Sequence, residues 1–253
     1  MSSPPLHPSP ATAAPGAVWV VGAGDATGGA IAERFARAGH PVCVSRRTAD
    51  KLAPLVERIR AAGGTAHAMA CDARDEAAVI AAVQRIEREV GPLEVLVFNV
   101  GANVRFPITE TTERVYRKVW EMAALGGFLS GREAARAMLP RGRGTLLFTG
   151  ATASLRGSAG FSAFAGAKHA LRALAQSMAR ELGPQGLHVA HVVIDGAIDT
   201  EFIATNFPQV YATKAEDGIL DPAAIAEAYW QLHRQPRNAW THEMDLRPWK
   251  ERW

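Results

Sequence analysis

Val18-Trp19-Val20-Val21-Gly22-Ala23-Gly24-Asp25-Ala26-Thr27-Gly28-Gly29-Ala30 decides the fold. A short β-rich run enters a glycine-rich turn, and helical spacing starts at once with Ile31, Phe35 and Ala38. Glycines allow a tight turn and let backbone N–H groups at the helix start approach a pyrophosphate. A strand-to-helix turn without a ligand would use the same residues. Its place between the first strand and the first helix favours a phosphate cradle at Gly22, Gly24, Ala26, Thr27 and Gly28.

The same alternation continues outward. Strand-like runs are Val42–Val44, Ala66–Ala70, Leu93–Phe98, Leu146–Phe148 and Val189–Ile194. Several are apolar on both faces, as parallel strands covered on two sides must be. Helical spacing recurs at Ala78, Val79, Ala82, Val83, Ile86 and Val90, and at Ala170, Leu171, Leu174, Met178 and Leu182. Gly39, Gly63-Gly64, Gly91-Pro92 and Gly183-Pro184 punctuate the helices. Repeated βα units predict an α/β fold, a doubly wound parallel sheet in a single domain over residues 17–253. Residues 1–16, rich in Pro, Ser and Ala, are expected to form a flexible N-terminal extension.

Composition narrows the function. The chain has 253 residues, 48% hydrophobic and 21% charged, which excludes a disordered chain, a collagen-like fibre and a coiled coil. A net charge of +3 without a Lys/Arg block predicts no nucleic-acid partner. No apolar run approaches the roughly 18 residues that span a bilayer, so no membrane partner is expected. Cys43 and Cys71 fit free thiols in a cytoplasmic protein. No metal-ligand spacing stands out.

The second strand ends in Ser45-Arg46-Arg47, where an NAD site usually carries an acid for the ribose 2′-hydroxyl. Arginine suits a 2′-phosphate, so the expected cofactor is NADP(H). A solvated helix start is the alternative use of these arginines.

In these blocks the sequence resembles the short-chain dehydrogenase/reductase family, which has a Rossmann-type fold. Gly22-x3-Ala26-x-Gly28 resembles its GxxxGxG turn, and Cys71-Asp72-Ala73 its adenine-contacting acidic position. Asn99-Val100-Gly101 resembles its NAG motif. Asp195-Gly196-Ala197-Ile198-Asp199-Thr200 resembles its PGxxxT segment at the nicotinamide end. The resemblance therefore implies cofactor contacts at Asp72, Asn99, Gly101, Gly196, Ile198 and Thr200. It also implies hydride transfer between the nicotinamide and a small carbonyl or alcohol substrate, and a homodimer or homotetramer. In the family a Tyr donates the proton, a Lys tunes it and holds the ribose, a Ser holds the substrate oxygen, and an Asn orders a water.

Three of those four positions differ here. The YxxxK motif is Phe164-Ala165-Gly166-Ala167-Lys168, the Ser position falls on Ala151, and the Asn position falls near Ala123. A phenyl ring has no proton to give, and loss of a general acid costs about 10²–10⁴ in rate. Lys168 keeps the family's place. Asp195, Thr152 and Ser154 are candidate replacements, weighed against cap and turn roles. His169 and His191 suit a helix face and a core better than a site. Met122, Phe128, Leu155, Phe161 and Phe164 suit an apolar cleft or plain core, and Trp230, Trp240, Trp249 and Trp253 a tail that closes over substrate or docks a subunit. The expected function is an NADP(H)-binding oxidoreductase with a non-standard proton-delivery set. The alternatives are a catalytically silent dinucleotide-binding protein, or a non-redox isomerase or lyase.

Overall fold

A computed structural model describes residues 14–24, 26–101 and 103–251. Most of the expected N-terminal extension, Asp25 and Trp253 lie outside the described residues.

The β-rich apolar runs become strands that are covered on both faces. β1 (Ala17–Val21), β2 (Val42–Arg46), β3 (Ala66–Ala70), β4 (Leu93–Phe98), β5 (Gly144–Thr149) and β6 (Leu187–Ile194) are joined by β7 (Glu243–Leu246). The sheet order is β3-β2-β1-β4-β5-β6-β7, with every pair parallel. The chain winds outward from β1 to β3, then crosses back to lay β4 beside β1. That reversal opens a crevice at the carboxyl ends of β1 and β4, where ligands bind in such sheets.

Helices cover both faces. They are α1 (Thr27–Arg37), α2 (Ala53–Ala61), α3 (Glu76–Glu89), α4 (Glu113–Trp120), α5 (Gly126–Met138), α6 (Ser162–Leu182), α7 (Glu201–Asn206), α8 (Pro208–Ala212) and α9 (Pro222–His233). Ile31 and Phe35 of α1, Leu55 and Ile59 of α2, and Ile225 and Tyr229 of α9 build the core on one face. Val79 and Ile86 of α3, Leu129 of α5, and Leu171 and Ala175 of α6 build the other. The apolar three- and four-residue spacing of α1, α3 and α6 thus points at the sheet, and burial of these side chains is the main stabilising term.

Two details depart from the sequence expectations. α6 ends at Leu182, directly before Gly183 as expected, but Gly183 has φ −55° and opens a 3₁₀ turn, so the left-handed residue is Gly186 at φ 91°. A side chain at Gly186 would strike the Gly142 carbonyl, so the reversal falls where glycine is required. β7 carries no β-branched run. Its Glu243 is held by Arg172 through two hydrogen bonds of 2.7 Å, which offsets the cost of placing acids in a strand.

α4 passes into α5 through a π-helical turn, Glu121–Leu125, which buries Ala123 and Ala124. Wide turns of this kind re-aim a helix and often border functional sites.

Candidate active site

Two adjoining cavities of about 610 Å³ each follow the carboxyl ends of the strands, and Gly22, Gly24, Asn99, Val100 and Gly101 border both. The glycine turn lies at their junction. Gly22 has φ 81°, and a Cβ there would come within 2.7 Å of the Asn99 carbonyl oxygen. A Cβ on Gly28 would lie 2.8 Å from the Gly22 carbonyl oxygen. Glycine is therefore needed for β1, α1 and β4 to approach each other so closely. Gly22 N donates to Ser45 O at 2.9 Å, and Asn99 N donates to Val21 O at 2.9 Å. Gly24 has open space where its side chain would be, and Ala26 gives α1 no side-chain cap. Thr27 and Gly28 line the cavity at that helix start. Uncapped N–H groups at a helix N-terminus, in a cavity, make an anion cradle.

One end of the crevice carries Arg46, Arg47, Lys51, Asp72 and Arg74. Arg74 grips Asp72 at 3.0 and 2.6 Å, and this hydrogen bonding holds the Asp72 carboxyl below its ordinary pKa. Arg46 and Arg47 form no ion pair among the described residues. Ser45 is fully buried, where its hydroxyl accepts from Trp19 Nε1 at 2.9 Å. It holds the end of β2 against β1 rather than facing the crevice.

The other end carries Lys168, 3% exposed. Its Nζ donates to Thr149 O at 2.8 Å and to Val100 O at 3.3 Å, which leaves one N–H to give. Burial pushes its pKa down to about 8. The Phe164 ring lies 5.9 Å from Nζ.

Asp195 is 1% exposed and does not line the cavity. Thr152 does line it, and its hydroxyl donates a short hydrogen bond to Asp195 Oδ1. Arg156 Nη2 lies 3.7 Å from Oδ1 and Arg247 Nη2 3.8 Å from Oδ2, so the carboxylate is flanked by two cations. Asp195 N donates to Leu246 O at 2.8 Å, which ties the end of β6 to β7. The structure thus joins Thr152 to Asp195 and sets Ser154 apart. Ser154 is fully buried, and its Oγ accepts from Ala151 N at 3.1 Å.

Gly196 and Ile198 line the cavity. Thr200 stands at the start of α7, where its Oγ1 caps Ile203 N at 3.2 Å. His169 Nδ1 lies 2.8 Å from Ala165 O on its own helix. His191 is fully buried with Nδ1 3.0 Å from Glu243 Oε2, and burial pushes its pKa down to about 4. Phe161 and Phe164 line the cavity, Met122 borders its neighbour, and Phe128 is exposed on α5. Trp230 packs on Phe35, and Trp240 stacks on His188 near the amino ends of the strands, away from the crevice. Exposed Trp249 hydrogen-bonds Glu216 O at 2.9 Å.

Ala123, Ala151 and Phe164 share one apolar cluster with Val119, Ala153 and Ala163. The three altered positions therefore fall in one apolar cluster, of which Ala151 and Phe164 line the cavity. Arg156, Asn103 and Ser158 also line the cavity, although no sequence motif marks them.

A family model described as short chain dehydrogenase matches residues 16–210. The chain is similar to the gluconate 5-dehydrogenase of Gluconobacter oxydans, 26% identical over 227 residues that cover 90% of this chain and 82% of that protein. It is similar to a short-chain dehydrogenase/reductase of Hericium erinaceus, 33% identical over 203 residues that cover 78% of this chain and 80% of that one. A crystal structure of a short-chain dehydrogenase from Rhodopseudomonas palustris superposes with a TM-score of 0.80. It is 53% identical and covers 92% of this chain and 99% of its own. With the parallel sheet, the glycine turn and Lys168 in place, the chain belongs to the short-chain dehydrogenase family.

Proposed function

We propose that the protein is an NADP(H)-dependent oxidoreductase that acts on a small carbonyl or alcohol substrate with a relocated proton route. One observation carries this: two adjoining cavities lead from Arg46 and Arg47, past the uncapped start of α1, to buried Lys168. A dinucleotide has that order of chemistry, with a 2′-phosphate at one end, a pyrophosphate in the middle and a ribose–nicotinamide at the other. Gly22, Gly24, Ala26, Thr27 and Gly28 would hold the pyrophosphate, with Asp72, Asn99 and Gly101 beside the adenosine. Lys168 would give its remaining N–H to the nicotinamide ribose. Gly196, Ile198 and Thr200 belong to the nicotinamide-end segment. When bound, the nicotinamide supplies hydride transfer.

The protein's own task is the proton. Thr152 faces the cavity and already donates to Asp195. In alcohol oxidation, Thr152 Oγ1 takes the substrate hydroxyl proton while its own proton passes to Asp195 Oδ1. In carbonyl reduction the same relay runs backwards, from a protonated Asp195 through Thr152 to the alkoxide oxygen. Arg156 and Arg247 flank the carboxylate at ion-pair distance. Exposed Tyr116 and Trp120 of α4 and Phe128 of α5 fit assembly as a homodimer or homotetramer.

The apolar cluster that contains Ala123, Ala151 and Phe164 favours one rival, a dinucleotide-binding protein without turnover. Absorbance at 340 nm separates the two. Ketones and aldehydes with NADPH, and alcohols with NADP+, are expected to give turnover above the uncatalysed rate. Saturable NADPH binding without turnover across the whole panel selects the silent protein.

A further inference from the structure

The substrate-end cavity has a one-sided charge. Arg156 and Lys168 line it, and no Asp or Glu does among the described residues. At its rim Arg105 lies over the Phe161 ring, 5.8 Å from the centroid, and Phe106 N donates to Gly160 O at 2.9 Å, which fastens the Arg105 segment to the cavity wall. Arg105 makes no hydrogen bond or ion pair among the described residues. Arg156 is ion-paired with Asp195 at 3.7 Å, beyond hydrogen-bond distance, so its N–H donors can still bond a ligand while the pair persists. Ala151, Ala153, Phe161, Phe164 and Ile198 give the wall an apolar stretch, beside the polar side chains of Asn103, Thr152 and Ser158.

We propose that this cavity is built for an apolar substrate that carries its own carboxylate, and that Arg156, supported by Arg105, is the specificity-determining residue that binds that carboxylate. The inference deepens the proposed function, on whose substrate cavity it rests. A guanidinium matches a carboxylate fork to fork, and this geometry fixes the orientation of the ligand as well as its affinity. With the carboxylate anchored at Arg156, the apolar body lies along Phe161 and Phe164, and the reacting carbon is directed towards Thr152. The neutral ester or amide of the same body loses the anchor and keeps only the apolar contacts.

Calorimetry with 3-phenylpropanoate and its neutral amide tests this directly, with and without saturating NADP+. The acid is expected to bind about tenfold or more tightly than the amide, the size of one charge-assisted hydrogen bond. Arg156→Gln should abolish that preference without changing amide affinity, Arg156→Lys should restore part of it, and Arg105→Gln should weaken it. Equal affinity for acid and amide, no saturable binding of the acid, or a preference that survives Arg156→Gln overturns the proposal. Loss of NADP+ binding, with the acid preference intact, overturns the dinucleotide reading alone.

Discussion

Replacing Thr152 by valine is expected to lower kcat by about 10²–10⁴-fold, the usual worth of a positioned acid–base group. Valine keeps the shape of the side chain and removes the hydroxyl that hydrogen-bonds Asp195 from the cavity wall. The hydroxyl acts on a proton and not on the dinucleotide, so NADPH affinity should stay at the wild-type value. Thr152→Ser keeps an Oγ at the same position and should retain most of the activity. Asp195→Asn removes the proton acceptor behind Thr152. Its effect should overlap with that of Thr152→Val instead of adding to it, because the two act as a unit. Steady-state kinetics of the two single variants and the double variant check this. A Thr152→Val enzyme with an unchanged kcat contradicts the relay.

Charge reversal at the other end of the crevice should have a comparable effect on binding. Arg46→Glu with Arg47→Glu is expected to weaken NADPH by about 10²–10⁴-fold relative to NADH. That range follows from about 1.5–3 kcal/mol for each charge-assisted hydrogen bond and tenfold per roughly 1.4 kcal/mol. Both arginines border the cavity without an ion pair among the described residues, and Arg47 acts on Asp72 only through space, so their N–H donors are available to a phosphate. The wild-type preference should fall as salt screens the site. Titration of both dinucleotides into wild type and variant checks the claim. An NADPH-to-NADH affinity ratio that the reversal leaves unchanged would remove the 2′-phosphate from this site.

The fold was legible because its signals are local. Val18–Val21 followed by the Gly22–Gly29 turn states a strand, a phosphate-sized turn and a helix within a few residues, and the apolar runs of β4 and β6 repeat the theme. β7 was hidden because Glu243 and Asp245 look like loop residues until Arg172 and Arg247 are seen beside them. Most of the residues proposed for the cofactor lie at the ends of strands at fixed motif positions, and the structure brings them to the two adjoining cavities. The chemical half depends on side-chain direction. Thr152 and Ser154 are two residues apart in one 3₁₀ turn, yet one lines the cavity and the other is buried against Ala151 N. Spacing alone does not distinguish them. Asp195 was visible as an acid, but its two arginines come from positions 156 and 247, one in a loop without periodicity and the other just after β7.

The central claim is that the grip on the dinucleotide and the handling of the proton have separated, with the former kept at the family's positions and the latter moved to Thr152 and Asp195. A crystal structure of the NADP+ complex with a substrate alcohol tests both halves together. It should show the 2′-phosphate within hydrogen-bond distance of Arg46 or Arg47, and the alcohol oxygen on the Thr152 hydroxyl. A 2′-phosphate turned away from both arginines, or an alcohol oxygen held by a group other than Thr152, would contradict the account.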